Sequence, residues 1–116
     1  MVSIVAENVN GVPVIHLSGE FRARDTEAFR QYVFDLADQL NGSQLVIDLA
    51  ELRHACSGAL RVLVLVQRKL AILDGRLVVA GVNGTVREIL DLTQVDRLLE
   101  LSPCARTAVG ELKQAA

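Results

Sequence analysis

Leu45-Val46-Ile47-Asp48-Leu49, then Ala50 to Ala55, then Cys56-Ser57-Gly58-Ala59-Leu60 and onward to Leu73 is the stretch that decides the fold. Five mostly apolar, β-prone residues run into a polar segment, and a helix-length run begins at a small hydroxyl residue. The pattern predicts a strand over 44–49, a loop over 50–55 and a helix over 57–73. Val62-Leu63-Val64-Leu65-Val66 alone would pass for a buried strand, but no breaker follows Gly58 until Asp74-Gly75 stops the run. A strand feeding a loop feeding a helix puts the helix's unpaired N–H groups at the sheet edge. Ser57 stands there, flanked by small residues, so a functional site is expected at Ser57 and along the face that begins with it.

Downstream, Arg76 to Val82 reads as a strand apolar on both faces, as in a covered parallel sheet. Asn83-Gly84 leads into a short helix, Thr85 to Leu92, with Val86, Ile89 and Leu90 on one face. Leu98 to Leu101 reads as a short strand, and Pro103 precedes a last amphipathic helix to about Lys113. Gln114-Ala115-Ala116 is expected to fray.

Upstream, Ala28, Phe29, Tyr32, Val33, Leu36, Ala37 and Leu40 recur with helical period, giving a helix over Asp25–Leu40. Asp25 is its expected N-cap and Glu27 suits the first turn. Asn41-Gly42-Ser43 ends it, with Gly42 as a left-handed C-cap. Val2–Ala6 and Val12–Ser18 read as strands around Asn8-Val9-Asn10-Gly11, a stretch with hairpin chemistry. Pro13 belongs near a strand end or edge, and His16 falls on the less buried face. The alternation of strands and helices implies βαβ units and a mainly parallel, mixed sheet of four to five strands with about four helices. No linker or repeat divides residues 1–116, so one α/β domain is expected.

Composition narrows the function. Half the residues are apolar but only Phe21, Phe29, Phe34 and Tyr32 are aromatic, so the core is built from Leu, Val, Ile and Ala. A net charge of −2 argues against nucleic-acid or membrane-surface binding by bulk electrostatics. No apolar run approaches the roughly 20 residues of a bilayer span, and no signal-peptide core follows Met1. Cys56 and Cys104 have neither disulfide-framework nor metal-ligand spacing. A reduced, cytoplasmic protein without metal or cofactor is expected.

Catalytic signals are weak. Ala80-Gly81-Val82-Asn83-Gly84-Thr85 follows a strand and opens a helix, but lacks both G-x-G-x-x-G and a Walker lysine. An ordinary βα turn explains it, and a small nucleotide-binding enzyme is the lesser reading. Asp48 and Glu51 make no carboxylate pair, and His54 shares the loop of Ser57 without an orienting acid. Cys56 beside a helix N-terminus reads either as a redox-sensitive thiol or, more simply, as a small buried replacement for serine. Ser57, Leu60, Arg61, Val64, Gln67 and Arg68 share one helical stripe. Mixing arginines with aliphatics beside Ser57, the stripe reads as a partner-binding surface or as incidental surface aliphatics.

At Val46-Ile47-Asp48-Leu49 and Cys56-Ser57-Gly58-Ala59-Leu60 the chain resembles the STAS domains of anti-sigma factor antagonists. Ser18-Gly19-Glu20-Phe21, Gly75 to Val82 and Val86 to Thr93 extend that resemblance over nearly the whole chain. It implies a small α/β domain with no catalysis of its own, working by partner switching in bacterial signalling and transcription regulation. The implied partner is an anti-sigma factor or related serine kinase, with a phosphatase as a further partner. No direct nucleic-acid or membrane contact is implied, and the chain would be a monomer or weak dimer.

The family's Asp-Ser-Ser-Gly loop falls on Ala55, Cys56, Ser57 and Gly58, so the resemblance makes Ser57 the phosphoacceptor. Helix capping is the other reading of Ser57, and the two are compatible. The partner surface would comprise Arg22, Cys56, Ser57, Gly58, Leu60, Arg61, Val64 and Arg68. Two positions depart from the pattern, since Ala55 and Arg22 stand where the family usually has aspartate. Arg22 is expected close enough to Ser57 for a phosphate to bridge them. The same departures motivate an alternative, a constitutive STAS subunit docking on a transporter ATPase or a multiprotein signalling complex without phosphorylation.

Overall fold

The chain begins with a hairpin in the computed structural model, which describes residues 2–40 and 44–115. β1 (Val2–Val9) and β2 (Val12–Phe21) pair antiparallel, from Val2 opposite Gly19 to Val9 opposite Val12. Asn10 and Gly11 between them take φ of 52° and 88°, as a tight primed hairpin turn requires. Asn8 Oδ1 accepts the N–H of Gly11 at 3.0 Å. Both strands outrun the ends read from sequence because their pairing continues to the turn and, in β2, on to Phe21.

A 3₁₀ turn, Ala23–Asp25, then leads into α1 (Thr26–Leu40). Asp25 is not the N-cap of this helix. It closes the 3₁₀ turn instead, donating its N–H to the Arg22 carbonyl and accepting the Arg22 N–H on Oδ2, both at 2.9 Å. The expected stop at Asn41-Gly42-Ser43, with Gly42 as C-cap, lies outside the described residues. β3 (Gln44–Ala55), α2 (Ser57–Ile72), β4 (Arg76–Ala80) and α3 (Gly84–Thr93) follow. A second 3₁₀ turn, Val95–Leu98, precedes β5 (Glu100–Ser102) and α4 (Ala105–Ala115). α4 runs to Ala115, and Ala116 lies outside the described residues.

The sheet has the order β1-β2-β3-β4-β5, antiparallel between β1 and β2 and parallel throughout the rest. It is the mixed, mainly parallel α/β sheet that the alternation of elements predicts. One face carries α1, α2 and α3, whose Phe29, Val33, Leu60, Leu63, Val66, Val86 and Leu90 pack on Ile15, Leu17, Leu45, Ile47 and Leu49. The other face carries α4, with Ala108, Val109 and Leu112 on Val12, Val14, Val46 and Val78. Phe21 and Phe29 meet edge-to-face at 5.1 Å, clamping the end of β2 to α1.

The loop expected over 50–55 is strand. β3 pairs with β4 only as far as Asp48 opposite Ala80, then runs on beside β2 to Ala55 opposite Phe21. Two register shifts each leave one extra residue on β3. Leu49, Leu52 and Ala55 therefore stay on the buried face three apart instead of two. Gly81 lets β4 pass this bend: its φ is 73°, and a Cβ there would come 2.8 Å from Asp48 Oδ1 and 2.9 Å from the Ala50 nitrogen.

Candidate functional site

The paired ends of β2 and β3 bring Arg22 and the start of α2 to one rim of the sheet. The Cys56 N–H donates to the Phe21 carbonyl at 3.1 Å, so the next residue of each chain segment leaves the ladder together. Cys56, extended at φ −86° and ψ 164°, is the N-cap of α2, and Ser57 is the first helical residue. Cys56 makes no side-chain capping bond; its Sγ lies 3.6 Å from Thr26 Oγ1. Ser57 is exposed, and its hydroxyl makes no hydrogen bond among the described residues. The capping reading of Ser57 therefore fails, because the cap position belongs to Cys56.

Gly58 is required by a close approach. A Cβ at that position would lie 2.9 Å from Thr26 Oγ1 and 3.2 Å from its Cγ2, so the Thr26 side chain of α1 would have to shift to admit it. Ala55 is fully buried and belongs to the core with Phe29, Leu52 and Ala59. The position where the resemblance expects an aspartate thus faces apolar side chains in this chain. Arg22 is half exposed, and its guanidinium folds back into an ion pair with Glu20. That hydrogen bond and charge, with a smaller contribution from Arg53, hold the Glu20 carboxyl below its ordinary range. Arg22 and Ser57 share the rim, but the arginine is engaged with its own strand.

All of the helical stripe except Gln67 borders one open groove. Ser57, Leu60, Arg61, Val64 and Arg68 line it together with Leu65, and Thr93, Val95 and Leu98 form the opposite wall. Its volume is about 320 Å³. Arg22, Cys56 and Gly58 are not in that lining. Leu60 is only 1 % exposed, so it forms the floor and is a core residue, where the stripe alone suggested a surface aliphatic. The opposite wall was missed in the sequence because Leu98 was assigned to a strand. The i, i+3 spacing of Val95 and Leu98 is the signal of the 3₁₀ turn that would have revealed it.

A wider cleft of about 660 Å³ lies elsewhere, between the β2–β3 extension and the start of α3. Asn83, Gly84 and Thr85 border it, but the turn is structural. Asn83 Nδ2 donates to the carbonyls of Ala50 at 3.2 Å and Gly81 at 2.8 Å, tying α3 to the bend in β3. Among the described residues no three His, Cys, Asp or Glu converge as metal ligands, and no helix is long and apolar enough to cross a membrane.

Comparison with known proteins agrees with this geometry. The family described as "Mlab, STAS domain" matches residues 5–100. No curated protein matches the chain at a significant level. An anti-sigma factor antagonist from Mycobacterium paratuberculosis superposes with a TM-score of 0.86 at 25 % identity, over 97 % of this chain and 95 % of that one. The anti-sigma factor antagonist SpoIIAA in its unphosphorylated form gives 0.81 at 17 % identity, over 97 % of each chain. The Bacillus cell-fate determinant SpoIIAA in its phosphorylated form gives 0.72 at 17 % identity, over 94 % of this chain and 98 % of that one. Matching the family over most of its length and carrying the same sheet and helices as these structures, this chain belongs to the STAS-domain family.

Proposed function

We propose that the protein is a non-catalytic, cytoplasmic regulatory subunit that binds an anti-sigma factor or related serine kinase through the start and outer face of α2. Ser57 is the phosphoacceptor that releases the partner. The observation that carries this reading is the free hydroxyl of Ser57, exposed at the first helical position and standing at one end of the groove. In the modification the Ser57 Oγ–P bond forms as the γ-phosphoryl leaves ADP, and the hydroxyl proton passes to a base of the kinase. An added dianion at a helix N-terminus gains roughly 0.3–1 kcal/mol from the helix dipole. The phosphate therefore leaves the fold intact and acts on the surface a partner would touch. The test is incubation with a kinase-type anti-sigma partner and ATP, read by intact mass. A gain of one phosphoryl group that disappears in Ser57→Ala supports the proposal, and an unmodified wild-type chain sinks it.

The ion pair between Arg22 and Glu20 and the burial of Ala55 favour a second reading. A constitutive subunit, docking on a transporter ATPase or signalling assembly, needs neither of the absent aspartates. Equal partner recovery by wild type and Ser57→Asp would select this alternative.

A further inference from the structure

We propose that the groove between α2 and the Val95–Leu98 turn receives an acidic amphipathic helix of the partner, and that Arg61 is its anchor and also the cation a phosphate on Ser57 would take over. The proposal rests on the reading that the outer face of α2 binds a protein.

The walls decide the kind of segment. Val64, Leu65, Val95 and Leu98 present apolar side chains, and the longer wall, α2, is a regular helix whose backbone groups are bonded within it. An extended peptide would enter with unpaired N–H and C=O groups facing aliphatics, at a cost of about 1–3 kcal/mol for each. A helix brings its backbone bonds with it and needs only an apolar stripe to match.

Charge decides the flank. Arg61 and Arg68 are exposed and seven residues apart on one side of α2, about 10 Å along its axis. Neither joins an ion pair among the described residues, whereas Arg22, Arg30, Lys69 and Arg76 do. Two carboxylates spaced two turns apart along one flank of the incoming helix meet both arginines.

Ser57 couples the groove to modification. It lies one turn before Arg61, and an anion at i with a cation at i+4 is the favourable order on a helix. A phosphate on Ser57 draws Arg61 off the rim and sets a dianion at the mouth of the groove. Both effects expel an acidic helix without moving the core.

The probe is a fluorescent amphipathic helical peptide with one leucine stripe and two glutamates spaced two turns apart, beside a twin carrying lysines in their place. The wild type should bind the glutamate peptide, with amide shifts confined to α2 and residues 93–98. The Arg61→Glu/Arg68→Glu protein, checked for its fold by circular dichroism, should bind it about tenfold or more weakly and prefer the lysine twin. Ser57→Asp should also weaken the glutamate peptide. Binding of neither peptide, equal binding of both, or shifts mapped to another face overturns the proposal. No arm uses a kinase. A failed groove therefore leaves the phosphoacceptor reading standing, and a failed phosphorylation leaves the groove standing.

Discussion

Gly58 lies against Thr26 so closely that a Cβ on the glycine would come 2.9 Å from Thr26 Oγ1 and 3.2 Å from Cγ2. This contact sets α1 against the first turn of α2 and so fixes where Ser57 emerges. An alanine in a helix ordinarily gains about 0.5–1 kcal/mol over glycine. Here overpacking costs about 1–3 kcal/mol and wins. Gly58→Ala is expected to lower unfolding stability in urea by about 1–2 kcal/mol, and adding Thr26→Ala should recover most of the loss. A Gly58→Ala protein as stable as wild type would show that the contact relaxes freely.

Ser57 and its neighbour Cys56 divide two roles that one serine is often asked to fill. With no capping bond to lose, Ser57→Ala should change stability by less than about 0.5 kcal/mol. Cys56→Ser places an oxygen at the true N-cap and is expected to add about 0.5–1 kcal/mol. Thermal unfolding of the two variants gives the answer; a large loss in Ser57→Ala would restore the capping role to Ser57.

Leu60, Arg61 and Arg68 line one groove but differ in what they support. Leu60 is buried on the floor, so Leu60→Ala should cost about 2–5 kcal/mol and disturb binding only through the fold. Arg61→Ala and Arg68→Ala should stay within about 0.5 kcal/mol of wild type. Chemical denaturation separates these outcomes before any binding assay is run, and comparable losses at all three sites would contradict the placement.

His16 bridges three strands, with Nδ1 2.8 Å from Asp48 Oδ2 and Nε2 2.7 Å from Glu7 Oε2. Burial alone would lower its pKa, but hydrogen bonds to Glu7 and Asp48, reinforced by both charges, raise it above the ordinary value. Arg106 of α4 borders the same hollow. A raised folded pKa means that the imidazolium's contribution is complete below the unfolded value of about 6.5 and fades as pH rises through the folded one. His16→Gln should therefore cost up to about 1 kcal/mol near pH 6 and less near pH 9. A difference from wild type that is flat or grows with pH would refute the assignment.

The helices and parallel strands were legible because their periods are uninterrupted. Phe29, Val33 and Ala37 recur as a buried helical face, and Leu77 to Ala80 form a continuous buried run. The end of β3 was not legible. Two bulges change the spacing of buried residues from two to three across Leu49, Leu52 and Ala55, so the alternation that marks a strand vanishes where the strand continues. At the site, Ser57, Arg61, Val64 and Arg68 could be grouped because one helix carries them all. Thr93, Val95 and Leu98 could not, since only the tertiary fold brings that wall to α2. The Arg22–Glu20 pair was likewise hidden: nothing in the spacing says that the arginine turns back along its own strand.

Beyond Asp48, β3 leaves β4 and pairs, among the described residues, with β2, while Leu52, Ala55 and the facing Phe21 stay buried in the core. On the other side of Ser57, Ala59 and Leu60 root α2 in the core. Ser57 thus stands between two supports that are both rooted in the core. A partner that touches Ser57 therefore meets a rim held on both sides by buried side chains, with Phe21 packed on Phe29 on one side and Leu60 in the core on the other.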